Sequence, residues 1–151
     1  MSHIIIKTAM LLAMLLALAG CQSSIFGDDC LRNKTLAQEN YRPTPDSTQQ
    51  NRNQEGIKQV AEPLAIAEPQ YPRNAYQCGI EGWVQFEVTV KTDGYVKDIN
   101  ILDSSPDRTF VQEARKAVNK WRFKPAKNDK DEWVESTFIF AIEFKLPDPL
   151  Q

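Results

Sequence analysis

Val84-Gln85-Phe86-Glu87-Val88-Thr89-Val90-Lys91-Thr92-Asp93-Gly94 decides the fold of this chain. Val84, Phe86, Val88 and Val90 alternate with polar residues, which is the period of a strand with one buried face. An Asp-Gly pair follows. Between alternating runs that pair predicts a hairpin, in which both central turn positions take positive φ. The returning strand, Tyr95 to Leu102, has a break in its alternation: Val96 has one parity, Ile99 and Ile101 the other. One extra residue near Lys97-Asp98 restores a single apolar face, so a β-bulge is expected there; a strand that starts late is the alternative.

Ser104-Ser105-Pro106-Asp107 reads as a helix start, with Ser105 as cap, Pro106 in the first helical position and Asp107 at the positive dipole end. Phe110, Ala114, Ala117 and Trp121 fall on one stripe, widened by Val111 and Val118, and Pro125 ends the helix. Asn128 to Glu132 is a polar loop. The last strand runs from Ser136 to Lys145, with Phe138, Phe140, Ile142 and Phe144 on one face. Upstream, Arg73 to Cys78 suits a helical turn or two that Gly79 can end. The expected class is α+β: a small three-stranded, largely antiparallel sheet, a main helix on one face and a short preceding helix. Trp121 belongs to its core, whereas Trp83 has the outward parity and either covers the small helix or is exposed.

The rest of the 151 residues has a different character. Residues 21–62 are rich in Gln, Asn, Ser, Thr and Pro, and predict a flexible polar linker with a short helix around Cys30 to Gln38. Pulled straight, Cys21 to Gln70 reaches roughly 160 Å; as a coil it averages about 40 Å. Residues 63–147 form the folded domain and 148–151 a tail. Residues 1–20 are the targeting segment: Lys7 supplies the positive charge, and Thr8 to Ala19 is an apolar run short of the about 20 residues that span a bilayer.

The closing Leu18-Ala19-Gly20-Cys21 resembles the lipobox of bacterial lipoproteins, in which the cysteine takes a lipid such as palmitate and becomes the first residue after cleavage. An uncleaved membrane anchor is the alternative. Cys30 and Cys78 then remain as thiols. In an oxidising compartment they can pair, at about 4 kcal/mol by loop entropy; two free or intermolecular thiols are the other outcome.

The net charge of −2 and the absence of a basic block argue against a nucleic-acid partner. The single histidine, His3, lies in the leader. Imidazole acid–base work and the usual zinc ligand sets are thereby excluded from a cleaved chain. There is no phosphate loop and no dinucleotide fingerprint. The chain is expected to be no enzyme, with no metal and no cofactor; the acidic residues of Asn128 to Glu132 are read as loop rather than ligands.

From Pro69 to Leu146 the sequence resembles the C-terminal domain of the TonB family. Gln70-Tyr71-Pro72, Gly79 to Val84, Thr92-Asp93-Gly94, Ile101 to Pro106, Ala117 to Pro125 and the final Phe-rich strand occur in order. The resemblance implies a periplasm-facing module to whose sheet edge an outer-membrane TonB-dependent receptor adds a short strand. The binding residues implied are Gln70 and Tyr71 with Ser136, Thr137, Phe138, Ile139, Phe140, Ala141, Ile142 and Glu143. An unpaired edge on the last strand suggests the same from backbone chemistry alone.

The leader and short linker depart from the family's transmembrane helix and long spacer. The expected protein is therefore held by an N-terminal lipid at the membrane, and resemblance to lipoprotein sorting implies the outer one from Gln22 after Cys21. A full energy transducer with an uncleaved inner-membrane anchor stays open. So does an envelope lipoprotein that forms a homodimer through the same edge.

Overall fold

The computed structural model describes residues 25–46 and 55–147, and the backbone alone for Ile25 to Asp28. The leader, Cys21 and the 148–151 tail lie outside the described residues. The central hairpin joins β3 (Gly82–Val90) to β4 (Val96–Ser105), and β8 (Ser136–Phe144) pairs antiparallel along the other side of β3. The strand order is β4-β3-β8. Earlier in the chain come helix α1 (Ile25–Asn40), short strands β1 (Ile57–Gln59) and β2 (Glu62–Ala65), and helix α2 (Arg73–Cys78). Helix α3 (Val111–Val118) follows β4, and β5 (Arg122–Lys124), β6 (Ala126–Asn128) and β7 (Trp133–Val134) precede β8. The α+β class and the three-stranded antiparallel sheet stand as the sequence implies.

The bulge expected near Lys97 is present: Thr89 pairs with Asp98 and Val90 with Val96, so Lys97 is the extra residue. A second bulge leaves Leu102 between the pairs Gln85–Asp103 and Phe86–Ile101. The first brings Val96 onto the face of Ile99 and Ile101, and all three pack on the core.

The hairpin tip differs from the two-residue turn. Only Gly94 has positive φ, at 80°. Its N–H donates to the Lys91 carbonyl at 2.9 Å, and the Lys91 N–H donates to the Tyr95 carbonyl at 2.9 Å. This is a turn followed by a left-handed glycine, the usual three-residue loop. Gly94 is also a packing requirement, because a Cβ there would sit 2.1 Å from the Phe123 carbonyl oxygen. The Phe123 N–H donates to the Gly94 carbonyl at 3.0 Å, so the tip rests against β5.

Helix α3 begins five residues later than Pro106. Ser105–Pro106 is a cis peptide, Asp107 accepts the Thr109 N–H at 2.7 Å, and Phe110 rather than Ser105 is the cap residue. The stripe itself holds: Phe110, Val111, Ala114, Val118 and Trp121 are buried in one cluster with Val84, Phe86, Val88 and Val90, and Ala117 is buried as well. The Trp121 Nε1–H donates to the Ala67 carbonyl at 2.8 Å, which satisfies the indole while its ring stays apolar.

The linker expectation is corrected. Residues 25–40 form one helix of 16 residues, longer than the short helix around Cys30 to Gln38. The folded part begins before residue 63, since β1 pairs with β6 and β2 with β5. Neither short strand shows the alternation that marks β3. Each is only 3 or 4 residues long and is held by its partner's backbone, a signal that composition does not carry.

A partner-binding edge and the arm across the sheet

Strand β8 lies at one end of the main sheet, with β3 its strand neighbour among the described residues. At the opposite end the hairpin tip is continued by a Tyr95–Arg122 bridge towards β5 and β2. Alternate β8 residues face the core: Phe138, Phe140 and Ile142 pack against it, with Phe144 buried beside Phe110 at 4.6 Å between ring centroids. Phe140 stacks on Trp121 at 4.9 Å and on Phe86 at 5.4 Å. Thr137, Ile139, Ala141 and Glu143 face the other way, opposite Thr89, Glu87, Gln85 and Trp83. The run Phe138 to Ile142 is therefore apolar on both faces, and every residue in it is half-buried. A strand of this kind resembles one from the interior of a sheet, although it stands at the end of one.

Of the other residues expected at the site, Gln70 is exposed. It lines a shallow cleft of about 200 Å³ with Glu68, Pro69 and the α3 residues Glu113, Lys116, Ala117 and Lys120, away from β8. Tyr71 is committed inward. Its hydroxyl donates to the Ile80 carbonyl at 2.7 Å, and its ring meets Phe110 and Phe144 edge-on at 5.7 and 5.8 Å. Burial, with the nearby Glu81 carboxylate, pushes its phenol up to about 12.

The unexpected part of the site is the stretch after α1. Residues Asn40 to Thr44 cross the outer face of the sheet from β4 over β3 to β8. The Arg42 N–H donates to Ser105 Oγ at 2.7 Å, and Ser105 Oγ lies 3.4 Å from the Asn40 carbonyl. The guanidinium grips Asp103 with both terminal nitrogens and donates to the Ser104 carbonyl at 2.7 Å. It also stands 5.6 Å from the Trp83 ring, whose Nε1–H donates to the Arg42 carbonyl. Thr44 Oγ1 donates to Glu143 on β8. Trp83 accordingly has the outward parity yet is 2% exposed, because this arm covers it.

Electrostatics reinforce the arm. Hydrogen bonding to Arg42 holds the Asp103 carboxyl below the ordinary range, and the same bond raises the Arg42 guanidinium. Lys145 and then Thr44 lower Glu143. No sequence periodicity marks these residues; Pro43 and Pro45 hint only at extended backbone. A disulfide between Cys30 and Cys78 joins α1 to the end of α2, with Cα atoms 5.0 Å apart. Among the described residues no cluster of three His, Cys, Asp or Glu side chains could hold a metal, and no helix is long and apolar enough to cross a membrane.

Comparison with known proteins bears on the same region. The family model for the Gram-negative bacterial TonB protein C-terminal matches residues 67–146. Protein TonB of Pseudomonas aeruginosa is 48% identical over 63 residues, 42% of this chain and 18% of the relative. Protein tonB2 of the same organism is 41% identical over 81 residues, 52% of this chain and 28% of the relative. Protein TonB of Yersinia enterocolitica is 34% identical over 83 residues, 55% of this chain and 30% of the relative. The chain thus spans less than a third of these relatives' length. The solution NMR structure of the Pseudomonas aeruginosa TonB CTD superposes with a TM-score of 0.50 at 37% identity, covering 64% of this chain and 93% of that one. The matched residues hold α2, the β3–β4 hairpin, α3 and β8, while α1 and the arm lie outside them. With more than half of its length matched, the chain belongs to the family of Gram-negative bacterial TonB protein C-terminal domains.

Proposed function

We propose that this protein is a lipid-anchored, periplasm-facing binding module that captures outer-membrane TonB-dependent receptors, or other envelope partners, by adding a partner strand along β8, and so supports transport across the outer membrane. Its family is non-enzymatic and associated with the cell envelope. The observation that carries the reading is β8 itself: a strand at the sheet's end whose centre, Phe138 to Ile142, is apolar on both faces. Strand addition draws affinity from main-chain hydrogen bonds and selectivity from alternate side chains. The lipid belongs on Cys21. The Cys30–Cys78 disulfide supports an oxidising compartment outside the cytosol. Gln70 and Tyr71 have a supporting part at most, since one faces α3 and the other faces the core.

Titration of the chain with peptides from the N-terminal segments of such receptors tests the reading. A peptide that binds should lose its affinity when alternate backbone nitrogens are methylated, with every side chain kept. Equal binding of methylated and unmethylated peptides would exclude strand addition. A chain that binds no peptide but sediments as a dimer would assign the edge to self-association instead. Intact mass of the membrane-extracted protein reports cleavage and acylation at Cys21 together.

A further inference from the structure

We infer that helix α3 carries a second attachment surface, a basic face that docks on the anionic headgroups of a phospholipid membrane. The outward side of α3 and of the turn that leaves it consists of Gln112, Arg115, Lys116, Asn119 and Lys120. All five are exposed, and none is apolar or acidic. Arg108 stands exposed at the entry to the helix, and Arg73 of α2 lines one cleft with Asp107, Thr109 and Glu113 of that entry. These cations are the ones left over when ion pairs are formed. On other surfaces Arg42 pairs with Asp103, Lys58 with Asp131, Lys97 with Glu135, Lys124 with Glu62 and Lys145 with Glu143. Arg73, Arg108, Arg115 and Lys120 have no ion-pair partner among the described residues. Lys116 is tied to Glu113, yet 56% of its side chain stays exposed. Lys34 and Lys130 also lack an ion pair but lie elsewhere, one in a cleft towards Leu146 and the other in the loop before β7.

Helix electrostatics account for only part of this placement. Cations in the last turn offset the helix dipole, which suits Arg115 and Lys116. The same dipole disfavours Arg108, just ahead of the α3 N-terminus, and Arg73, the first residue of α2. The chemistry fits a headgroup plane better than a protein. Protein interfaces are anchored by aromatic or aliphatic side chains in buried pockets, and this face has none. Attraction to charged headgroups needs only flexible cations within a Debye length of the surface. The formal net charge of the chain is −2, so the attraction belongs to this face and not to the whole molecule. On the far side of the sheet Glu87 and Asp98 face away from the core, opposite Asn100 and Thr89. Docked through α3, the domain keeps that acidic face and the arm away from the membrane and leaves β8 open at the side. Docking of this kind needs neither a lipid on Cys21 nor a guest strand on β8, so both can fail while it stands.

The test places the full chain with lipid nanodiscs whose headgroups carry a paramagnetic chelate, and reads amide relaxation by NMR. On discs of phosphatidylglycerol mixed with phosphatidylcholine, amides of residues 112–120 should relax faster than those of β4. On discs of phosphatidylcholine alone the contrast should vanish. It should also vanish in about 1 M salt, where the Debye length is about 3 Å. An Arg115→Gln, Lys120→Gln chain should bind the anionic discs more weakly, by about fivefold for each charge removed. A Lys91→Gln, Lys97→Gln chain loses the same net charge from the hairpin and should bind as wild type does. All four side chains are at least partly exposed, and the β3 amide shifts report that each fold is intact. Equal relaxation on both kinds of disc overturns the inference. An equal loss of binding in the two variants also overturns it, by assigning the attraction to net charge. Soluble polyglutamate that shifts the amides of residues 112–120 when anionic discs do not would make the occupant an acidic protein, and overturns it too.

Discussion

Arg42 and Asp103 stand 61 residues apart in the chain and meet as a two-pronged pair, with Nη1 to Oδ2 at 2.7 Å and Nη2 to Oδ1 at 2.8 Å. One partner lies outside the stretch that matches the family and the other lies within it. The pair is half exposed, so its importance is less in raw ion-pair energy than in what it keeps in place. It closes the lid over Trp83.

Arg42→Ala is expected to uncover Trp83, seen as a red shift of the Trp fluorescence, while the far-ultraviolet circular dichroism of the sheet persists. The same lid should respond to acid. The Asp103 carboxyl titrates below its unfolded value of about 4, so the pair's contribution is complete above that pH and is lost as pH falls through the lower folded value. Wild type should show the red shift as a step below about pH 4. Asp103→Asn should be shifted already at neutral pH and lack that step. Identical acid profiles for the two chains would remove Asp103 from the lid.

Tyr71 sets the opposite limb. Its phenol is raised to about 12 against an unfolded value near 10, so the neutral form is the one the fold favours. That contribution is full below about pH 10 and is lost as pH climbs towards 12. Tyr71→Phe should cost about 1 kcal/mol at neutral pH for the lost bond to Ile80. Urea midpoints of wild type and variant should then converge between pH 10 and pH 12. A constant gap across that range contradicts the assignment.

Gly82 opens β3 opposite Phe144. A Cβ there would lie 2.2 Å from the Ser105 carbonyl oxygen and 2.4 Å from a Phe110 ring carbon. One contact is backbone and the other a fully buried ring, so neither can yield easily. Gly82→Ala should destabilise by about 2–3 kcal/mol in denaturant unfolding. A variant within experimental error of wild type would mean that the β4 end and α3 separate freely.

Phe140 joins the edge to the core. Its ring stacks on Trp121 and Phe86, so Phe140→Ala should lower stability by about 3 kcal/mol, near the small end for Phe because the residue is half-buried. The chain should remain folded at low temperature, where peptide titration separates loss of the edge from loss of the fold.

The hairpin, the bulge at Lys97, the α3 stripe and the Phe-rich last strand were legible in the sequence. Each rests on side-chain periodicity against one core, which a linear pattern records directly. The start of α3 was misplaced because Ser105 had two available partners. Its hydroxyl serves the Arg42 N–H rather than a helix end, and only the folded chain brings Arg42 there. The two-residue reading of Asp93-Gly94 failed for a similar reason: the turn lengthens to fit Gly94 against Phe123.

The arm shows the division most clearly. Gln-Glu-Asn-Tyr-Arg-Pro-Thr-Pro contains no apolar stripe, and composition assigns it to a tether. Pattern recognition detects residues that bury themselves. It does not detect a polar segment whose donors and acceptors match those of a distant surface, because such complementarity belongs to no single stretch of chain. The alternation of β3 marks the buried face of the sheet, while the family rests on motifs spread from Pro69 to Leu146. Tertiary structure alone decided that Arg42 would cover Trp83, that Cys30 would meet Cys78, and that a presumed linker would be bound to the domain it was expected to leave free.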